Sequence, residues 1–159
     1  DPYSGGVTHL NDHLILYPIF HAGERVAWCV NIAHWGDIGG HVVGSQDLKA
    51  TEIYAEGIVI PPTKVGVNHE LLPGCIDISR ANSRFKDALV GDFNAAVASV
   101  RIGRKRIEEL IGNYSVETFR EAVGRYFEYA NDISRAGLRN PALARLAGLA
   151  GEGITFSEV

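Results

Sequence analysis

The sequence predicts an α+β fold, with a β-rich front that carries a hairpin and a helical back. The back is expected to be an antiparallel pair of long helices followed by a short C-terminal helix. Three observations carry this reading. Apolar runs at 14–20 (LILYPIF) and 26–33 (VAWCVNIA) flank the turn-forming Ala22-Gly23-Glu24-Arg25. From 84 to 137 the apolar residues instead recur in steps of three and four, the period of a helix. All six histidines (His9, His13, His21, His34, His41, His69) lie in the front half, so the residues able to do chemistry travel with the strands.

Taken in order, the hairpin strands are apolar on successive residues, which predicts burial on both faces. Pro18 predicts an edge position or a bulge. Residues 51–56 (TEIYAE) read equally as one helical turn or an extended run. Residues 57–60 (GIVI), stopped by Pro61-Pro62, predict a third strand. In the first long helix Phe85, Leu89, Phe93, Ala96, Val100, Ile107 and Ile111 share one face, which Val97 and Leu110 widen. Gly112-Asn113 is expected to end it, since both residues tolerate a left-handed conformation. Ser115 is then the N-cap of the next helix, with Glu117 favourable in its first turn. That helix repeats the stripe at Val116, Phe119, Val123, Tyr126, Phe127, Ala130 and Ile133, and so short a link predicts a helical hairpin. Asn140-Pro141 starts a small Ala/Leu-rich helix that ends near Gly151. The chain reads as one domain, or a fragment of a larger subunit. Its three parts are 1–75 (β-rich), 76–137 (helical) and 138–159 (tail helix).

At 159 residues and 46% hydrophobic content the chain can bury a core. A net charge of −4 argues against nucleic acid or an anionic membrane as partner. No apolar run reaches the roughly 18 residues of a membrane span, and the opening DPYSGGVTHL lacks the features of a signal peptide. Cys29 and Cys75 predict two free thiols in a reducing cytoplasm. The chain has no methionine and opens on Asp1-Pro2, which suggests a piece of a longer polypeptide or a processed chain. The basic run Arg101–Arg106 (RIGRKR) has no interleaved aromatics and reads as a solvated or subunit-facing surface. His69-Glu70 reads as an exposed loop.

The hairpin has chemical consequences. If the chain folds back on Gly23, residue 12 comes opposite residue 34, and His9, Asp12 and His34 converge. Imidazole and carboxylate suit Mn²⁺, Fe²⁺ or Zn²⁺, and three protein ligands leave positions open for water or substrate. The His-x-x-Asp spacing alone is unspecific, because histidines near strand ends are often structural. A two-residue turn is expected to face His34 with His13 instead, since one step of register flips a side chain across the sheet. His13 is therefore the rival ligand on spacing. Glycines flank both ligand segments (Ser4-Gly5-Gly6 and Gly36-Asp37-Ile38-Gly39-Gly40) and would let backbone approach an ion or substrate closely, or simply form tight loops. Asp37 could orient an imidazole, act as a general base, or cap a turn. Neither cluster is a phosphate loop, so any nucleotide must bind to another subunit.

At these residues the chain resembles the hydantoinase B/5-oxoprolinase family, which includes the alpha subunits of acetone carboxylase and related ketone carboxylases. The matching stretches are residues 1–6 (DPYSGG), 8–12 (THLND), 33–40 (AHWGDIGG), 51–57 (TEIYAEG) and 60–64 (IPPTK). The helical continuation from Val90 to Ile111 matches as well, and the likeness extends over about residues 1–130. The resemblance implies that His9, Asp12 and His34 hold a divalent metal, which favours Asp12 over His13. Mn²⁺ or Zn²⁺ are the first expectations, with Fe²⁺ and Mg²⁺ as alternatives. It also implies a hydantoinase A-like partner that binds ATP and phosphorylates a carbonyl-derived oxygen, so that ATP enters only through that subunit. The B-type subunit then resolves the activated intermediate.

Two departures stand out. Trp35 occupies a position where the family often has a second histidine. Family members also run to several hundred residues, and the pattern is lost here beyond about Ser134.

The expected function is thus the metal-binding part of an ATP-dependent cyclic-amide hydrolase, cytoplasmic and hetero-oligomeric. Asp37 would orient or deprotonate, and Glu52 or Glu56 would contact substrate. Ketone carboxylation on the same metal is the runner-up. A non-catalytic assembly module is the alternative of a different class.

Overall fold

The structure, a computed structural model, describes Tyr3 and residues 6–139. The expected helix from Asn140 to Gly151 lies outside the described residues. The chain divides into two compact units, Asp1–Glu109 and Leu110–Val159. The division falls inside the long helix and not at the change of composition near residue 75.

In the first unit, β1 (Asp12–His21) and β2 (Glu24–His34) form the expected antiparallel hairpin. Ala22 and Gly23 make a two-residue turn, both with positive φ, which matches the right-handed twist of the strands. The register is the one in which residue 12 comes opposite residue 34, and not the rival that would place His13 there, but a bulge is what produces it. Continued without interruption, the turn would set His34 opposite Asn11. Val26 is an extra residue between the pairs Ile19↔Ala27 and Phe20↔Arg25, and this bulge adds one step. Asp12 therefore pairs with His34, and His13 with Ala33.

Burial on both faces of the hairpin does not occur. Ile15 and Ala33, on one face, pack against the core. Leu16, Trp28, Val30 and Ile32, on the other, are exposed. A two-stranded ribbon has two faces, and among the described residues only one of these is covered.

Residues 57–60 are not a strand either. Gly57 sits at φ +146°, a conformation reserved for glycine, and a Cβ there would lie 2.8 Å from the Ile38 side chain. The segment instead runs beside Ile38, where Ile58 N–H donates to the Ile38 carbonyl, and Val59 packs on the core. Ile53–Ala55 form a 3₁₀ turn, which decides the ambiguity over 51–56. The second sheet lies further on, as a small hairpin of β3 (Gly66–Val67) and β4 (Glu70–Leu71) turning at Asn68-His69. His69 is exposed, as expected, but in a tight turn with positive φ.

After the short α1 (Asp77–Asn82), α2 runs over Lys86–Tyr114. Its predicted stripe is real: Leu89, Phe93 and Val97 join Leu10, Trp35 and Ile38 in one buried cluster. Phe85 and Leu110, at its margins, are exposed. Gly103 lets the helix come close to β2, since a Cβ there would lie 2.7 Å from Cys29 Sγ. The basic run beside it is partly spent on the fold, because Arg101 donates to the His69 carbonyl and the Arg104 guanidinium lies 5.8 Å from the Tyr17 ring.

In the second unit, α2 ends two residues later than expected, at Tyr114. Ser115, not Gly112 or Asn113, takes the left-handed position, with φ +74°. The same serine caps α3 (Val116–Leu138), its Oγ accepting from Thr118 N–H at 3.3 Å. The apolar stripe of α3 is present, but Val123, Tyr126, Phe127 and Ile133 are exposed. The burial expected of a helical hairpin is not found among the described residues. No described helix is long and apolar enough to cross a membrane.

Candidate metal centre

The open end of the β1–β2 hairpin is closed by Asn11, not by strand pairing alone. Trp35 N–H donates to the Asn11 carbonyl at 2.9 Å, and the Asn11 amide donates to the carbonyls of Trp35 at 2.8 Å and Gly44 at 3.3 Å. Asn11 is fully buried, so these bonds satisfy its amide in place of water. Sequence reasoning passed over it. Its position one residue before Asp12 was the available signal.

With the strand ends held, the ladder pair Asp12↔His34 shares a face. His34 Nδ1 lies 2.8 Å from Asp12 Oδ1. A single turn precedes β1, in which Asp12 N–H donates to the His9 carbonyl and His9 N–H to Asp12 Oδ2. This brings the His9 ring edge-on to that of His34, with centroids 5.9 Å apart. The far nitrogen of His34, Nε2, is 3.0 Å from Gln46 Nε2. Burial pushes the Asp12 carboxyl up, but the bond to His34, the His9 N–H and the two imidazoles outweigh it and hold the group below the usual carboxylate range. Asp12 is a carboxylate at neutral pH.

The fold therefore draws His9, Asp12 and His34 to one place, with Asp12 and His34 in contact and His9 beside them. Among the described residues no three His, Cys, Asp or Glu side chains form a ready-made cage for an ion. By chemical type, however, the donors are those of a metal site. Two imidazoles and a carboxylate suit Mn²⁺, Fe²⁺ or Zn²⁺. His9, Asp12 and His34 are the residues that would hold such an ion, and in this structure the Asp12–His34 contact is a hydrogen bond of 2.8 Å.

His13 points the other way. Its ring stacks on Trp35 with centroids 3.6 Å apart, and Nδ1–H donates to the Asn11 carbonyl at 3.0 Å. Burial lowers its pKa, partly opposed by that bond. Trp35 is itself a core residue, 2% exposed.

Asp37 has no free oxygen. Oδ1 accepts from Arg84 N–H and Gly39 N–H, and Oδ2 accepts from Gly44 N–H and the Arg84 guanidinium at 2.7 Å. Its side chain is 0% exposed. Burial pushes the carboxyl up, and these four bonds more than reverse it, leaving the pKa low. The same guanidinium holds the carbonyls of Gly40 and Val42.

Gly40 (φ +82°) is a point of close backbone approach, since a Cβ there would lie 2.6 Å from the Ala55 carbonyl oxygen. Glu52 and Glu56 border a shallow depression with Thr8, Leu10, Thr51 and Ile53. They thus stand near the chain that flanks His9. Cys29 and Cys75 are free and half-buried, and burial raises the Cys29 thiol.

A model of the hydantoinase B/oxoprolinase family matches residues 1–151. The chain is 33% identical over 133 residues to the caprolactamase subunit beta of Pseudomonas jessenii, covering 84% of this chain and 23% of that one. It is 29% identical over 111 residues to the acetophenone carboxylase delta subunit of Aromatoleum aromaticum, covering 69% and 16%. The crystal structure of the ATP-dependent caprolactamase from Pseudomonas jessenii superimposes with a TM-score of 0.76, at 33% identity and over 84% of this chain and 23% of that one. The chain thus spans about a quarter or less of the length of these relatives.

Proposed function

Because the chain belongs to the hydantoinase B/oxoprolinase family, we propose that it is the metal-holding part of a B-type subunit of an ATP-dependent cyclic-amide hydrolase. One observation carries this: the Asp12–His34 contact of 2.8 Å, with the His9 ring beside it. His9, Asp12 and His34 would hold the ion, with Mn²⁺ or Zn²⁺ preferred over Fe²⁺ or Mg²⁺. When bound, it supplies Lewis acidity toward a substrate oxygen, or a water of pKa near about 7.

The chain's own residues supply the rest. Asp12, ionised at neutral pH, presents a fixed negative charge and orients the His34 ring. Glu52 and Glu56 contact the substrate from the depression beside Thr8. Asp37 is reassigned from base to scaffold, because a proton acceptor needs a free lone pair and its own are taken.

Nucleotide chemistry belongs to a hydantoinase A-like partner, which phosphorylates the amide-derived oxygen before ring opening; the present sequence has no phosphate loop. The relatives whose names carry a subunit letter support a hetero-oligomer. The free thiols support a reducing compartment such as the cytoplasm.

The test is an assay of the subunit with its A-type partner and ATP on a lactam, a hydantoin and 5-oxoproline. Ring opening without bicarbonate is expected. Turnover of a ketone that requires bicarbonate would replace this reading with the carboxylase one. Folding and partner binding with neither activity would favour an assembly module.

A further inference from the structure

We propose that Gln46 is a positioning residue that holds the far nitrogen of His34, so that Nδ1 is the nitrogen left to face the metal. The inference rests on the metal reading above and extends it to a residue outside the three ligands.

The backbone at Gln46 is held firmly on its N-terminal side. Ser45 is buried with φ +56°, and its Oγ accepts from Ile38 N–H at 2.9 Å while donating to the Gly39 carbonyl at 2.7 Å. Gly44 N–H is tied to Asp37 at 2.9 Å, and the Gly44 carbonyl accepts from Asn11. A pinned loop thus delivers the side chain of Gln46 to His34, and the same Asn11 that closes the hairpin ties that loop to it.

The imidazole of His34 is spanned from both ends. Asp12 Oδ1 lies 2.8 Å from Nδ1, and Gln46 Nε2 lies 3.0 Å from Nε2. A neutral imidazole carries one proton, so only two arrangements satisfy both contacts. In the first, Nδ1–H donates to the Asp12 carboxylate and the Gln46 amide N–H donates to Nε2. In the second, the carboxamide rotates by half a turn and its oxygen accepts Nε2–H. The lone pair of Nδ1 then faces the Asp12 carboxylate, where a cation shared by the two belongs. The 2.8 Å contact suits either state, as a hydrogen bond or as adjacent ligands of one ion.

A carboxamide can serve both arrangements because it carries a donor and an acceptor on one carbon. Metal-bound histidines donate their other ring N–H to such a partner, which fixes the tautomer and raises ligand basicity. Gln46 fills that role for the second arrangement. A glutamate there would accept Nε2–H but could not donate, and a leucine would do neither.

The experiment compares the protein with its Q46L and Q46E variants. Mn²⁺ affinity is measured by competition with a chelating indicator, and the tautomer of His34 by ¹⁵N correlation spectra with and without Zn²⁺. Q46L is expected to lose about 10–100-fold in Mn²⁺ affinity, the usual cost of removing an outer partner, with unchanged thermal unfolding because the side chain is exposed. Q46E is expected to restore affinity to within a few-fold. In the Zn²⁺-loaded protein His34 should carry its proton on Nε2.

Unchanged affinity in Q46L, or a metal found on Nε2, would overturn the role given to Gln46 while leaving the metal reading intact. An unsubstituted protein that binds neither ion would overturn both.

Discussion

Two carboxylates, 25 residues apart, show how differently the same side chain is used within one unit. Asp37 is buried, faces a guanidinium and has every lone pair engaged by protein. Asp12 sits at a strand end against an imidazole whose side chain is 43% exposed. Both have their pKa held low by hydrogen bonds that outweigh burial. The shift alone therefore does not separate scaffold from site. What separates them is whether any partner can be exchanged for a ligand. Around Asp37 the partners are backbone amides and Arg84, which are fixed by the fold. Around Asp12 one partner is an accessible imidazole.

The largest effect should come from Asp37. Asp37→Asn puts an amide NH₂ where a fully buried oxygen accepts two bonds, and it leaves Arg84, 38% exposed, short of its counterion. The expected cost is about 2 kcal/mol, the scale of an unsatisfied buried polar group. Urea denaturation at pH 7 measures this, and a loss below about 1 kcal/mol would mean that Asp37 is not the anchor described. The pH dependence has a definite sign. The folded pKa lies below the unfolded value of about 3.9, so the contribution of Asp37 is fully present above that value. It is lost as pH falls through the folded pKa. The gap between the native protein and the variant should therefore persist from neutral pH to about pH 4 and close in stronger acid.

A smaller effect, and a sharper one for register, should follow deletion of Val26. Removing the bulged residue lets the ladder close as Phe20↔Arg25 then Ile19↔Ala27 without interruption, and Asp12 still faces His34. Stability is expected to fall by about 1 kcal/mol, within the usual range for a single change, and metal binding to survive. Loss of metal binding in this variant would show that the bulge shapes the site beyond setting the register.

Much of this was legible in the sequence and some was not, for reasons of physics. The hairpin, the core stripe of α2 and the Ser115 cap follow from local periodicity and capping chemistry, and they appear as read. The facing of Asp12 and His34 depended on a bulge, which no pattern in VAWCVNIA announces. Residues 57–60 have strand-forming side chains, but Gly57 adopts a backbone that a strand does not use. The hairpin and α3 carry apolar faces that remain exposed, because hydrophobic periodicity reports what a segment can bury and not what is there to cover it. The full engagement of Asp37 was not legible, since two of the four donors that occupy it come from Arg84, 47 residues later.

The central claim is tested most directly by metal content and affinity in His34→Ala. This change at an exposed strand end should alter stability by less than about 1 kcal/mol, in contrast to Asp37→Asn. The unsubstituted protein is expected to bind one equivalent of Mn²⁺ or Zn²⁺ by isothermal titration and elemental analysis, and His34→Ala none. Full retention of one equivalent by the variant would contradict the account.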